Sequence, residues 1–424
     1  MKIKRSTCMQ YLLIYLMLII PGSCLFAKVL LGSMKYYILI ILYGVLFITK
    51  RKYQKMYAIV FCGVLLFIVL FQRLVSGGVG ISAWLQFVVC ILSTHFAITC
   101  DKENFLNRWI KVVVIFSGIS IIFWAIFCVA PNLVSIWPAK TFFTQSIGSK
   151  GWETFWHGKG VLLYSYLEIH PTRNCGIYTE PGVYQIVLNS ALFILLFWKE
   201  KLQFKDFRQY KKYVLIILTA LITCQSTTGY IGMLLNLLFF FLLRSNSDIT
   251  VKRIKKYVFL AVVVAIIAIL IEYSINGTES ILYKEIIMKL FGTGASGKIN
   301  LSEGSGQYRM GTILYSLYII FKHPFGVGYD RFMAMKGAFG EGLVAASIAS
   351  FAAVYGIISW IIVMFMILYP VFKYEKKEKA ILFLLLFINT TLAQTDLLYP
   401  SLMMIPIYLS VIRHSENKHF IQEG

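Results

Sequence analysis

Long apolar stretches recur along the whole chain and are separated by short polar segments. Many of them approach the ~20 residues that a helix needs to cross the hydrocarbon core of a bilayer. The pattern therefore predicts an all-α polytopic membrane protein with roughly twelve transmembrane helices. The predicted spans are 11–27, 36–49, 56–72, 81–99, 110–130, 182–198, 213–225, 229–243, 257–273, 344–369, 380–394 and 397–412.

The composition supports a membrane location. Hydrophobic residues make up 58% of the chain and charged residues only 14%, whereas soluble domains carry about 25% charged residues. Two segments between predicted spans are long, 131–181 and 274–343, and the first is rich in aromatic residues. A single integral membrane domain with two large loops follows from this arrangement.

The distribution of positive charge predicts the orientation. The net charge is +22, and Lys and Arg concentrate on the cytoplasmic side of membrane proteins. Of the 41 Lys and Arg, 27 fall in the terminal segments and in the short connections on one side. We therefore expect cytoplasmic termini, two large extracytoplasmic loops and no nucleic-acid partner. The basic segments are 1–10, 50–55, 100–111, 199–212, 244–256, 373–379 and 413–424.

The sequence offers no pattern typical of a metal or cofactor site. HExxH, paired CxxC and close acidic clusters are absent from the outer loops, and Gly326-Val327-Gly328 lacks the remainder of a phosphate-binding loop. We interpret this Gly-Val-Gly segment as a turn after Pro324. Among the acids outside the cytoplasmic segments, only Glu272 and Asp396 come near a span. Neither lies near the midplane, where an ion-coupled transporter needs charge.

Polar residues concentrate in two outer stretches, 170–185 and 305–332, and more weakly in a third, 225–230, between two short predicted spans. In the first, Glu180-Pro181-Gly182 is a typical helix start, because proline is favoured in the first turn and an acid is favourable at the positive end of the helix dipole. In the second, the pattern predicts a short interfacial helix over 308–321.

Arg173 and Arg309 each precede one of these outer-face helices. The planar guanidinium suits bidentate binding of phosphate, so the pair fits a lipid-linked pyrophosphate. The alternative is that both side chains extend to lipid headgroups.

The order of these motifs resembles the Wzy-type polysaccharide polymerases of the O-antigen and capsule pathways, which are relatives of the O-antigen ligases. Residues 173–182 read Arg-x-x-Gly-x-Tyr-x-Glu-Pro-Gly, and a Thr-Gly-Tyr turn follows at 228–230. After the second long loop come Arg309, an apolar helix and His-Pro-Phe-Gly-Val-Gly at 323–328.

This resemblance implies an inverting glycosyltransferase with a GT-C-like fold in the bacterial cytoplasmic membrane. Its substrates would be a glycan donor and acceptor linked to undecaprenyl pyrophosphate, and a chain-length regulator is a further partner that such enzymes allow. Arg173 and Arg309 would hold the donor pyrophosphate and stabilise the charge that develops on it, without a metal.

The remaining assignments complete the predicted site. Glu180, Asp330 and Glu341 are candidates for the base that activates the acceptor, although Glu180 could instead cap its helix and bond Arg173. Aromatic residues of the first loop would contact the sugar rings or form an interfacial belt. His323 could instead pack against the interface. The residues assigned to substrate binding are Tyr178, Tyr308, His323, Gly326, Gly328, Asp330, Arg331, Glu341, Trp152 and Trp156.

Two other functions stay open. An O-antigen ligase would use the same chemistry on another acceptor, but the segment 340–356 lacks the histidine that ligases carry before the following helix. A lipid-linked oligosaccharide transporter would need charged residues along the spans and short outer loops, and this chain shows the reverse.

Overall fold

The computed structural model describes most of the chain and is mainly helical. Among the described residues, three helices are long and apolar enough to cross a membrane: Tyr57–Ser76, Phe105–Val129 and Ile357–Tyr374. Several shorter helices are also apolar, which is consistent with a membrane protein. The described residues are 5–23, 34–49, 56–76, 81–136, 141–147, 154–160, 162–168, 170–243, 267, 271, 273–277, 305–337 and 346–422.

Most helices overlap the predicted spans; the exceptions are 11–27 and 344–369, which the structure corrects, and 257–273, of which most lies outside the described residues. They are α1 (Arg5–Ile19), α2 (Met34–Thr49), α3 (Met56–Ser76), α4 (Ile81–Cys100), α5 (Phe105–Val129), α6 (Pro181–Phe197), α7 (Phe207–Cys224), α8 (Thr227–Leu243), α9 (Ser305–Lys322), α10 (Tyr329–Gly337), α11 (Ser347–Tyr355), α12 (Ile357–Tyr374), α13 (Lys377–Ala393) and α14 (Pro400–Gln422).

Helix α6 is the central helix of the bundle. Fifteen of its 17 residues are buried, and it contacts α5, α7, α8, α13 and α14. Glu180 is its N-cap and Pro181 occupies the first turn, which confirms the helix start predicted from sequence. The predicted helix over 308–321 is also confirmed, since α9 covers it with a few residues added at the ends, whereas its interfacial location stays a prediction.

Small residues allow α8 to approach α6 closely. A β-carbon at Gly232 would lie 2.7 Å from Asn189 Nδ2. That amide donates to the carbonyl oxygen of Gly229 at 3.1 Å and to Gln185 Oε1 at 3.0 Å. Close backbone approach and interhelical hydrogen bonds of this kind hold helices together where lipid supplies no hydrophobic driving force.

The structure corrects two predicted spans. Helix α1 ends at Ile19 rather than continuing to 27, because Pro21 cannot continue a helix and Gly22 adopts φ +143°. The predicted span 344–369 is two helices, α11 and α12, separated by Gly356 at φ +89°. A β-carbon there would lie 2.7 Å from the carbonyl carbon of Phe325, so a side chain does not fit at this position. The positive φ also lies outside the helical range.

The segment between α5 and α6 contains a small antiparallel sheet that the all-α prediction did not include. Strands β1 (Thr141–Ile147), β2 (Thr154–Gly160) and β3 (Ser165–Leu167) pair in the order β1-β2-β3. The sheet leads directly into the segment that opens α6. Beside it, Tyr164 packs on Phe127 and Phe123 of α5, and this contact joins the loop to the bundle.

Candidate functional site

Asn174 connects the loop before α6, residues 170–180, to two neighbouring helices through hydrogen bonds. Its Nδ2 donates to Ser120 Oγ of α5 at 3.1 Å and to Thr223 Oγ1 of α7 at 3.0 Å. Its backbone N–H donates to the Thr223 carbonyl oxygen at 2.9 Å, and its Oδ1 accepts the Gly176 N–H at 3.0 Å. A buried polar side chain satisfied on every side in this way fixes one loop conformation. The sequence analysis gave Asn174 no role.

Two glycines of the loop are required by close packing. Gly176 has φ +59°, and a β-carbon would lie 2.8 Å from the ring of Tyr184. The Tyr184 hydroxyl in turn lies 2.9 Å from Ser120 Oγ. At Gly182, a β-carbon would lie 2.5 Å from Gln394 Nε2. The glycines of the motif thus let the loop lie against α6 and against the connection between α13 and α14.

The end of α1 supports the same loop from the other side. The Thr179 N–H donates to the Gly22 carbonyl oxygen at 3.2 Å, and Ser23 forms an antiparallel bridge with Tyr178. The Tyr178 ring is 1% exposed and packs on Tyr184 at 5.7 Å. Its predicted role in substrate binding is therefore not supported by its placement, which is that of a core residue.

Glu180 is the last residue of this loop, immediately before α6, and is partly exposed. It is the N-cap by position, with φ −150° and ψ 134°, but its side chain makes no capping hydrogen bond. The alternative that Glu180 caps α6 through its side chain is therefore wrong. The carboxyl lies beside Gly182, where a β-carbon would be 3.0 Å from Glu180 Oε1.

Two arginines from separate segments act on this carboxyl. Burial raises the pKa of Glu180, the positive charge of Arg309 lowers it, and Arg173 lowers it less strongly. The effect is reciprocal, because burial lowers the pKa of Arg309 and Glu180 opposes that change. Opposite charges stabilise each other's ionised forms only at short range. Arg173, Arg309 and Glu180, which were predicted as catalytic, are therefore near enough to one another to interact electrostatically.

A second acid joins the group from the connection between α13 and α14. Asp396 further raises the pKa of Glu180 by like-charge repulsion. Burial raises the pKa of Asp396 itself, whereas a hydrogen bond from Gln86 of α4 and the charge of Lys35 lower it. The sequence analysis noted Asp396 only as an acid near the outer end of a span. The one local signal for Asp396 was its position between apolar helices, because burying a carboxylate there is unfavourable unless it is paired.

The connection that carries Asp396 is itself held in place. The Gln394 carbonyl oxygen accepts the N–H of Ser347 at 3.0 Å. Ser347 Oγ donates to the Asp396 carbonyl oxygen at 2.9 Å. The Tyr399 hydroxyl donates to Gln394 Oε1 at 3.5 Å. Helix α11 thus begins at the site, and its N-terminal residue positions the backbone on which Asp396 stands.

The Gly-Val-Gly segment after α9 pairs with the end of α11 through its backbone. The N–H groups of Val327 and Gly328 donate to the carbonyl oxygens of Ala353 and Val354 at 3.1 and 3.0 Å. Gly326 has φ +85°, and a β-carbon would lie 2.5 Å from the Val354 carbonyl oxygen. This confirms the predicted turn. Close backbone packing thus accounts for Gly326, and the assignment of Gly326 and Gly328 to substrate binding stays a prediction.

The other predicted binding residues are scattered. Asp330 and Arg331 are exposed on α10, and His323 is half-buried just after α9. Trp156 lies in β2 opposite Gln145. The side chains of Tyr308 and Trp156, and all of Trp152 and Glu341, lie outside what the structure describes.

The site as described holds three cations and two acids at one end of the bundle, beside the N-terminal end of α6. The set comprises Arg173, Arg309, Lys35, Glu180 and Asp396. Such a group can bind a polyanion through the guanidinium forks and hold a carboxylate ready to accept a proton. No protein-family model matches the chain, and neither a curated protein nor a solved structure does.

Proposed function

We propose that this protein polymerises oligosaccharide repeat units linked to undecaprenyl pyrophosphate into O-antigen or capsular polysaccharide. The chain would cross the bacterial cytoplasmic membrane about twelve times, with a GT-C-like fold and with both termini in the cytoplasm. The reaction takes place at the outer face. A growing glycan leaves its lipid carrier and is joined to the free end of a new lipid-linked repeat unit.

One observation supports this function above the others. The guanidinium groups of Arg173 and Arg309 come from separate segments of the chain and act on one carboxyl, that of Glu180. An arginine pair beside a carboxylate is the arrangement that a glycosyl transfer from a pyrophosphate needs, because the leaving group carries the developing negative charge. Two arginines that only contact lipid headgroups would have no reason to share a buried carboxyl.

The chemical step follows from these roles. An acceptor hydroxyl attacks the anomeric carbon of the donor sugar while the bond from that carbon to the pyrophosphate oxygen breaks. The electron pair of that bond leaves with the lipid pyrophosphate, whose charge Arg173 and Arg309 neutralise. The proton of the acceptor hydroxyl passes to the Glu180 carboxylate. Attack opposite to the leaving group inverts the anomeric configuration.

Asp396 has a positioning role in this scheme. Its negative charge raises the pKa of Glu180, and a base with a raised pKa accepts a proton more readily. Lys35 and Gln86 stabilise the charged form of Asp396, so that it exerts this effect.

The test is the surface glycan of cells that lack the gene, resolved by gel. We expect a ladder of chain lengths to collapse to a single repeat unit on its normal anchor. Long chains that accumulate on the lipid carrier, with no anchored glycan, would identify a ligase. Absence of both chains and single units from the surface would identify a transporter.

A further inference from the structure

A groove with apolar walls and a basic mouth lies at the end of the bundle opposite to the candidate site. Its walls include Phe197, Phe240 and Leu243, and its lysines are Lys199, Lys376 and Lys379. We name it the lysine groove. Helix α6 begins at the candidate site and ends here. Its 17 residues separate the two by about 25 Å.

Two of the lysines form no ion pair with an acid among the residues that the structure describes. Within the described residues, Lys199 and Lys376 have no ion-pair partner, whereas Lys379 lies 3.7 Å from Glu200 and 3.8 Å from Glu375. Lys379 also donates to the Phe197 carbonyl oxygen at 2.7 Å, which ends α6. The acid that lines the groove is the exposed Glu378, so the groove retains a net positive charge.

Aromatic rings hold one of these cations at the mouth. Lys199 Nζ lies 4.5 Å from the ring centre of Tyr210 and 5.0 Å from that of Phe207. The Phe207 side chain is 56% exposed. Lysines beside aromatic rings, above an apolar wall, are the pattern found where a membrane protein meets the headgroup region.

We infer that the lysine groove binds an anionic glycerophospholipid, with its phosphate at Lys199 and Lys376 and an acyl chain along Phe197, Phe240 and Leu243. The net positive charge of the groove favours a negatively charged headgroup. The apolar walls select a lipid over a free phosphate or an acidic peptide, because neither of those could cover them. The inference does not depend on the proposed function, since the groove shares no residue with the candidate site.

The experiment measures lipid binding to the full-length protein by native mass spectrometry in detergent. Phosphatidylglycerol and phosphatidylcholine with identical acyl chains are the probes. We expect phosphatidylglycerol to bind more tightly. The double variant Lys199→Gln/Lys376→Gln should bind it roughly 30-fold more weakly, because each lysine near an anionic headgroup contributes about a factor of five.

The matched control is Lys205→Gln/Lys212→Gln, which removes the same charge from exposed residues outside the groove lining. It should bind phosphatidylglycerol like the wild type. Equal weakening in both double variants, or equal binding of the two lipids by the wild type, would overturn the lipid site. Displacement of phosphatidylglycerol by millimolar inorganic phosphate would overturn it too, in favour of a simple phosphate site.

Discussion

The side-chain amide of Gln394 lies against Gly182 so closely that a β-carbon at position 182 would come 2.5 Å from its Nε2 atom. The same β-carbon would lie 3.0 Å from Glu180 Oε1. One glycine thus sets the spacing between the carboxyl of the candidate site and the connection that carries Asp396.

We therefore expect Gly182→Ala to reduce chain extension on the order of tenfold to a hundredfold, because small displacements of positioned groups cost that much. The surface glycan ladder, compared at equal protein level, is the measurement. Gly118→Ala is the control, since nothing lies within 4 Å of a β-carbon there. Gln394→Ala should restore part of the activity of Gly182→Ala. No recovery in the double variant would show that the amide is not the obstacle.

Arg173→Ala and Arg309→Ala should each reduce chain extension by about a hundredfold or more, the usual cost of losing one group that stabilises developing charge. Lysine at either position should restore only part of the activity, because a point charge does not replace the planar fork. The control is Arg208→Ala, an exposed arginine at the far end of α7. Wild-type chain length in either site variant would contradict the pyrophosphate-binding role.

The pH dependence of the polymerisation rate should reflect the pKa of Glu180 and therefore the charges around it. A carboxylate base loses activity as the pH falls through its pKa, and burial holds the pKa of Glu180 above its ordinary value of 4.5. Asp396 raises that pKa further, so Asp396→Asn should shift the acidic limb of the rate profile to lower pH. The measurement is the polymerisation rate of purified protein in liposomes across pH. Glu168→Gln removes an exposed acid that pairs with Lys159 and should leave the limb in place.

Asn174→Ala should destabilise the protein without touching a charged group of the site. The change removes three side-chain hydrogen bonds, to Ser120, Thr223 and Gly176. At about 1 kcal/mol for each bond, the loss is roughly 3 kcal/mol. Thermal unfolding in detergent should show a lower Tm for Asn174→Ala and an unchanged Tm for Asn132→Ala, which alters an exposed residue. Equal Tm values would mean that the loop is not fastened through Asn174.

Much of the fold follows from local sequence patterns. Pro181 after an acid marks the start of α6, and the apolar period over 308–321 marks α9, because these signals act within one or two turns of helix. The break at Gly356 could not be predicted in this way. Its apolar flanks look like one continuous helix, and its cause is a contact with Phe325, which is distant in sequence.

The residues of the candidate site also fall into two groups, those with a local sequence signal and those that depend on contacts distant in sequence. Arg173, Arg309 and Glu180 stand in motifs that a single sequence displays. Gln394 and Asn174 carry no local signal and Asp396 only a weak one, because their importance arises from contacts between segments far apart in the chain. The pairing of β1, β2 and β3 was not predicted either, because the aromatic residues of this segment fit a sugar-contacting surface or an interfacial belt equally well.

The position of Asp396 between the last two helices has a consequence for biogenesis. Membrane proteins are inserted from the amino terminus onward, so Arg173, Glu180 and Arg309 reach the bilayer long before Asp396 and Gln394 do. A chain that stops within α13 would contain both arginines and the Glu180 carboxyl, yet lack Gln394 and Asp396. In the proposed reaction, such a chain would lack the carboxylate that raises the pKa of the Glu180 base.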